Sequence, residues 1–105
     1  GAAEASHYYF AKEPSQLNLA ECIFMASIIP KPKQVRYCFE GLRLKPYYED
    51  FYRVILDRLV DRGLISSEEA IGVTPESVEI TGPAKEYLTA TQSRSPRSSQ
   101  FLDQK

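Results

Sequence analysis

Five basic side chains, Lys31, Lys33, Arg36, Arg43 and Lys45, stand between residues 31 and 45 with Glu40 as the one acid among them. A cationic stretch of this kind steers and holds an acidic partner, whether a protein surface or phosphates. Tyr47 follows at once and adds an aromatic contact group of the sort enriched at protein interfaces. These six residues form the candidate partner-binding set. Chemistry of other kinds has less to build on. Cys22, Cys38 and His7 are too few for a four-ligand zinc site, and two thiols do not make a disulfide framework. Both cysteines therefore read as small buried hydrophobes. No serine or cysteine is paired with a histidine in a recognisable motif, and no glycine-rich phosphate loop is present. Glu49 and Asp50 are adjacent, so on a helix they point in different directions and cannot work as an acid and base pair. The residues predict no catalytic group, no cofactor and no metal, and hence a chain that is not an enzyme.

The net charge of −1 conceals a segregation along the chain. Residues 31–46 carry five bases against one acid, whereas residues 47–90 carry nine acids against four bases. With 105 residues, 43% hydrophobic and 26% charged, the composition is that of one globular domain with a modest core. There is no apolar run long enough to span a bilayer and no basic-then-apolar leader at the N-terminus. The expected setting is cytoplasmic, without a membrane.

Three helical signals must position the basic stretch. Asn18 can cap a first helix through "LAECIFMAS", which should stop before Pro30. A second is expected from Pro32, with Val35, Cys38, Phe39 and Leu42 at helical spacing. The third begins near Pro46 and gathers Tyr48, Phe51, Tyr52, Ile55, Leu56 and Leu59 on one stripe, with Asp50, Arg53, Asp57 and Asp61 outward and Gly63 as its stop. Pairs such as Arg53 with Asp57 would knit that outward face. Beyond it, Ile71 and Val73, then Val78 and Ile80, alternate about "TPES" and predict a hairpin, although Ser66 and Glu69 could instead open a helical turn as a capping box. Pro83 then starts a short closing helix containing Ala84, Tyr87 and Leu88. Residues 1–17 read as an N-terminal arm whose Tyr8, Tyr9 and Phe10 anchor on their own domain, residues 18–91 as the domain, and residues 92–105 as a disordered tail or linker.

This order, with the third helix ending in Leu59, Gly63, Leu64 and Ile65 and a final "VEITG" before Tyr87 and Leu88, resembles the winged helix superfamily. The resemblance implies an α+β fold: a small winged helix domain with a three-helix core, a two-stranded wing hairpin and a short C-terminal helix. DNA-reading members lay the third helix in the major groove, but here Glu49 and Asp50 stand where the groove would be met, and the expected wing carries Glu68, Glu69, Glu76 and Glu79 without a base. The nearest functional setting is then a non-catalytic docking module, of the kind attached to methyltransferases or modular biosynthetic synthases, that recognises an acidic protein domain or carrier protein and is monomeric in isolation. A nucleic-acid-binding regulator and a homodimerisation domain are the alternatives.

Overall fold

A computed structural model describes residues 2–28 and 37–90. The described chain runs through helix α1 (Ala2–Phe10), a 3-10 turn (Pro14–Gln16), α2 (Leu19–Ile28), strands β1 (Phe39–Glu40) and β2 (Arg43–Leu44), the long α3 (Pro46–Asp61), α4 (Ser67–Ile71), a second 3-10 turn (Pro75–Ser77) and a helix over 84–90, here α5. The fold is mostly helical with one small antiparallel sheet, which agrees with an α+β class at that coarse level.

Helix α2 is apolar nearly all round, the pattern of a helix enclosed by others. Ala20, Ile23, Phe24, Met25 and Ile28 are buried, and Ser27 satisfies its hydroxyl by donating to the Ile23 carbonyl at 2.8 Å. Asn18 caps α2 as expected: its side-chain oxygen accepts from the Glu21 N–H at 2.8 Å while Glu21 accepts from the Asn18 N–H at 2.9 Å. The Glu21 carboxylate, nearly buried by this arrangement, is neutralised by Lys12 at 2.9 Å.

The anchoring expected of Tyr8, Tyr9 and Phe10 takes a definite form. These residues lie on α1, and Tyr9 and Phe10 are buried against Phe24, with Tyr9 stacked on Phe39. The end of α1 is held from far along the chain, because Thr81 and Gly82 both donate backbone N–H groups to the Tyr9 carbonyl, at 3.0 and 2.8 Å, and the Thr81 hydroxyl donates to the Phe10 carbonyl at 3.1 Å. Carbonyls that a helix terminus leaves without partners are thus satisfied. Ala11 closes α1 in the left-handed region at φ 53°, a conformation that costs a residue with a Cβ about 1 kcal/mol. Ala11→Gly is therefore expected to raise stability by roughly 0.5 kcal/mol, the strain relieved less the entropy a glycine loses, which a urea unfolding midpoint would register; a lower midpoint would contradict it.

Two expectations are corrected. The apolar spacing read as a second helix through Leu42 belongs to a hairpin: Phe39 pairs with Leu44 and Glu40 with Arg43 across Gly41 and Leu42. Gly41 adopts φ 60° at the first position of this two-residue turn, which favours glycine and breaks a helix at the same point. The pleat sends Phe39 and Leu44 inward and Glu40 and Arg43 outward, and Leu42, expected in a core stripe, is exposed in the turn. The earlier part of that expected helix, residues 32–36, lies outside the described residues, as does the expected tail from residue 92.

The wing hairpin is the second correction, since none of residues 71–80 is in a strand. Ser66 forms a reciprocal capping box with Glu69 and starts α4, and Pro75 starts the 3-10 turn. Ile71, which the hairpin would have turned inward, is 76% exposed. The sheet stands before the long helix and not after it.

Helix α3 keeps its expected bounds, with Gly63 at φ 72° just past its end. Tyr52 and Leu56 are buried, Tyr48, Ile55 and Leu59 are half-buried against the core, and Phe51 is exposed. The Tyr52 hydroxyl donates to the Val73 carbonyl and ties α3 to the segment after α4. Burial, with the Glu76 carboxylate as a lesser contributor, pushes the Tyr52 phenol up to about 12. A raised phenol favours the neutral form in the folded state, so this contribution is complete below the unfolded value near 10 and is lost as pH rises from 10 toward 12. Stability is expected to fall across that window in the parent and to lack this component in Tyr52→Phe; equal slopes in alkaline urea titrations would refute it.

Candidate functional site

A groove of about 230 Å³ opens between the hairpin, the start of α3 and the Pro75–Ser77 turn, and is lined by Phe24, Leu42, Arg43, Leu44, Glu49, Pro75, Glu76 and Val78. Each lining element has a local cause. The inward pleat of β2 places Leu44 in the groove's floor beside buried Phe24, and leaves Arg43 at the rim. A hydrogen bond from the Lys45 N–H to the Cys38 carbonyl, 2.7 Å, extends the hairpin pairing up to the N-cap of α3. Pro46 then begins the helix, and Glu49 falls in its first turn, where the helix dipole favours a carboxylate.

Three charged side chains stand on the rim, and a fourth, Arg53 of α3, joins them through Glu76. Arg43 Nη2 lies 3.0 Å from Glu49 and 3.5 Å from Glu76, and Arg53 lies 3.0 Å from the same Glu76 oxygen. Arg53 thus pairs with the distant turn rather than with Asp57 one helical turn away. The pairs are largely solvated, so their value lies in joining hairpin, helix and turn more than in stability. A hydrogen bond from its own backbone N–H, then the Thr74 hydroxyl and the guanidiniums of Arg53 and Arg43, hold the Glu76 carboxyl below its ordinary range against a cost from burial. This favours the ionised, hydrogen-bond-accepting form of Glu76 at neutral pH.

Of the residues expected to bind a partner, Arg43 stands on this rim, Lys45 sits half-buried at the N-cap of α3, and Tyr47 is exposed on α3 with its ring edge-on to Phe51 at 5.6 Å. Lys31, Lys33 and Arg36 lie outside the described residues. The structure gathers Arg43 instead with Glu49, Arg53 and Glu76, none of which a reading by runs of like charge selects, since Arg43 and Glu76 are far apart in sequence. Among the described residues no cluster of histidine, cysteine and carboxylate side chains is placed to hold a metal ion, and no helix is long and apolar enough to cross a membrane.

Residues 1–59, more than half of the chain, match the model of the Transglycosylase family, and the chain belongs to that family. The match spans α1, α2, the hairpin and α3 as far as Leu59. No curated protein and no solved structure matches. Family membership overturns the winged helix resemblance and, with it, the non-catalytic docking module, its regulator and dimerisation alternatives, and the expectation that the chain is not an enzyme. The resemblance rested on a long amphipathic helix closed by Gly63 and on the alternation through "VEITG". Gly63 does close the long helix, but that helix follows the sheet, and Thr81 with Gly82 caps α1 in place of ending a wing strand.

Proposed function

We propose that the protein acts in glycosyl transfer for peptidoglycan synthesis and that this chain supplies a helical, substrate-facing part of that enzyme. The observation that carries the reading is the match of residues 1–59 to Transglycosylase, a family of peptidoglycan glycosyltransferases. The matched elements fit a working part of an enzyme because they share one aromatic core, in which Tyr9, Phe10, Phe24 and Phe39 join α1, α2 and the hairpin. Glycosyl transfer needs the acceptor hydroxyl oriented, its proton removed, and charge on the leaving group stabilised. Toward these needs the described rim offers the Arg43 guanidinium and the Glu49 and Glu76 carboxylates over an apolar floor, suited to binding and orienting a substrate.

The test is polymerisation by the natural full-length protein that carries this sequence, supplied with labelled peptidoglycan precursor. Glycan chains longer than the precursor are the expected product. A folded protein that leaves the precursor unpolymerised, under conditions where an authentic glycosyltransferase works, would sink the reading.

A further inference from the structure

We infer that the groove beneath Arg43, Glu49 and Glu76 is a subsite for one uncharged sugar ring. The inference rests on the glycosyl-transfer reading for the class of ligand, while the groove's own geometry selects the site. Its floor is apolar, with Phe24 and Leu44 buried and Val78 half-buried, and Leu42 and Pro75 form its walls. A pyranose presents C–H groups on its faces and hydroxyls at its edge, so it can lay a face on such a floor and turn its edge to a polar rim. At about 230 Å³ the groove is smaller than the roughly 300–1,000 Å³ of sites for drug-sized ligands, which suits one ring and not a long glycan.

The rim chooses between a neutral sugar and an anion. Arg43 on the lining pairs with Glu49 at 3.0 Å and Glu76 at 3.5 Å, and Arg53, outside the lining, compensates Glu76 at 3.0 Å, so the groove meets both donors and acceptors while the four charges sum to zero. A phosphate would have to approach two carboxylates and displace them from their guanidinium partners. A sugar hydroxyl can donate to a carboxylate and accept from a guanidinium at the same time without disturbing either. The salt bridges also hold both planar groups in place before binding, lowering the ordering cost of a weak site.

The experiment is an NMR titration of the full chain, labelled on backbone amides, arginine Nε and methyl groups, with N-acetylglucosamine and its short oligomers, and in parallel with inorganic pyrophosphate. Saturable shifts at Arg43 Nε and the Leu44 and Val78 methyls are expected with the sugar, with Kd in about the millimolar range and little change as salt is raised. Glu76→Gln and Leu42→Ala should each weaken the sugar at least about threefold while leaving amide dispersion intact; Leu42 is an exposed turn residue, so its truncation tests the site even if a rim variant unfolds. Shifts produced by pyrophosphate and not by sugar would overturn the inference in favour of an anion site. Absence of sugar shifts in the groove would overturn it outright, and would leave the polymerisation assay to decide the glycosyl-transfer reading by itself.

Discussion

Gly82→Ala is expected to destabilise the protein by about 3 kcal/mol, at the upper end of what overpacking one methyl group usually costs. A Cβ at this position would stand 2.5 Å from the Tyr8 carbonyl oxygen, 2.7 Å from that of His7 and 2.9 Å from the Ala11 backbone nitrogen. All three are backbone atoms at the end of α1, so no side chain can swing aside to make room. The same residue donates its N–H to the Tyr9 carbonyl at 2.8 Å, and the added methyl would pry that bond and the neighbouring Thr81 bonds apart together. In a chain of this size the loss corresponds to a fall in melting temperature of roughly 15 °C. Gly72→Ala is the matched control, because its nearest contact would be an ordinary 3.6 Å from the Glu69 carbonyl and its backbone is already in the right-handed helical region. That variant should be neutral or gain about 0.5 kcal/mol. Equal melting temperatures for the two variants would show that α1 is not clamped by residue 82.

The clamp also explains which parts of the fold could be read from the sequence. Where the determinant was local, the expectation held: Asn18 with Glu21, Pro46 opening α3, Gly63 closing it, and the Ser66 and Glu69 capping box weighed as an alternative all involve residues within a turn of each other. Where the determinant was a distant partner, it failed. Nothing near Gly82 announces that α1 will pack on it, so "VEITG" passed for a wing strand. The segment through Leu42 was lost for a different reason. Cys38, Phe39 and Leu42 match helical spacing, yet Phe39 and Leu44 match a pleat about a two-residue turn, and short apolar runs cannot separate the two by period. Gly41 is the deciding signal, because a residue free to take positive φ between Glu40 and Leu42 favours a tight turn over a continuing helix. The candidate groove was illegible for the same reason as the clamp, since its rim joins Arg43 to Glu76 across more than thirty residues.

Phe24→Ala should be the most damaging single truncation in the core, costing about 4 kcal/mol. The side chain is 3% exposed, and its ring meets three others: Phe10 edge-on at 5.4 Å, Tyr9 edge-on at 5.7 Å and Phe39 tilted at 5.8 Å. Those rings come from α1 and β1, so removal of Phe24 loosens both elements from α2 at once, and oriented aromatic pairs add about 0.5–1.5 kcal/mol each beyond buried area. A small domain holds about 5–15 kcal/mol in total, so the variant should sit near the edge of folding and show a sharply lower urea midpoint. Phe24→Leu separates bulk from ring geometry: it keeps most of the buried volume and forfeits the edge contacts, so a loss of about 1–2 kcal/mol is expected. Combining Phe24→Leu with Phe39→Leu should cost less than the two singles added, by at least about 0.5 kcal/mol, because the shared ring contact can be lost only once. Strict additivity would mean that the cluster acts as undifferentiated apolar filling. The coupled result would tie the hairpin that carries Arg43 to the helix that floors the groove, so that packing in the core sets the position of the rim.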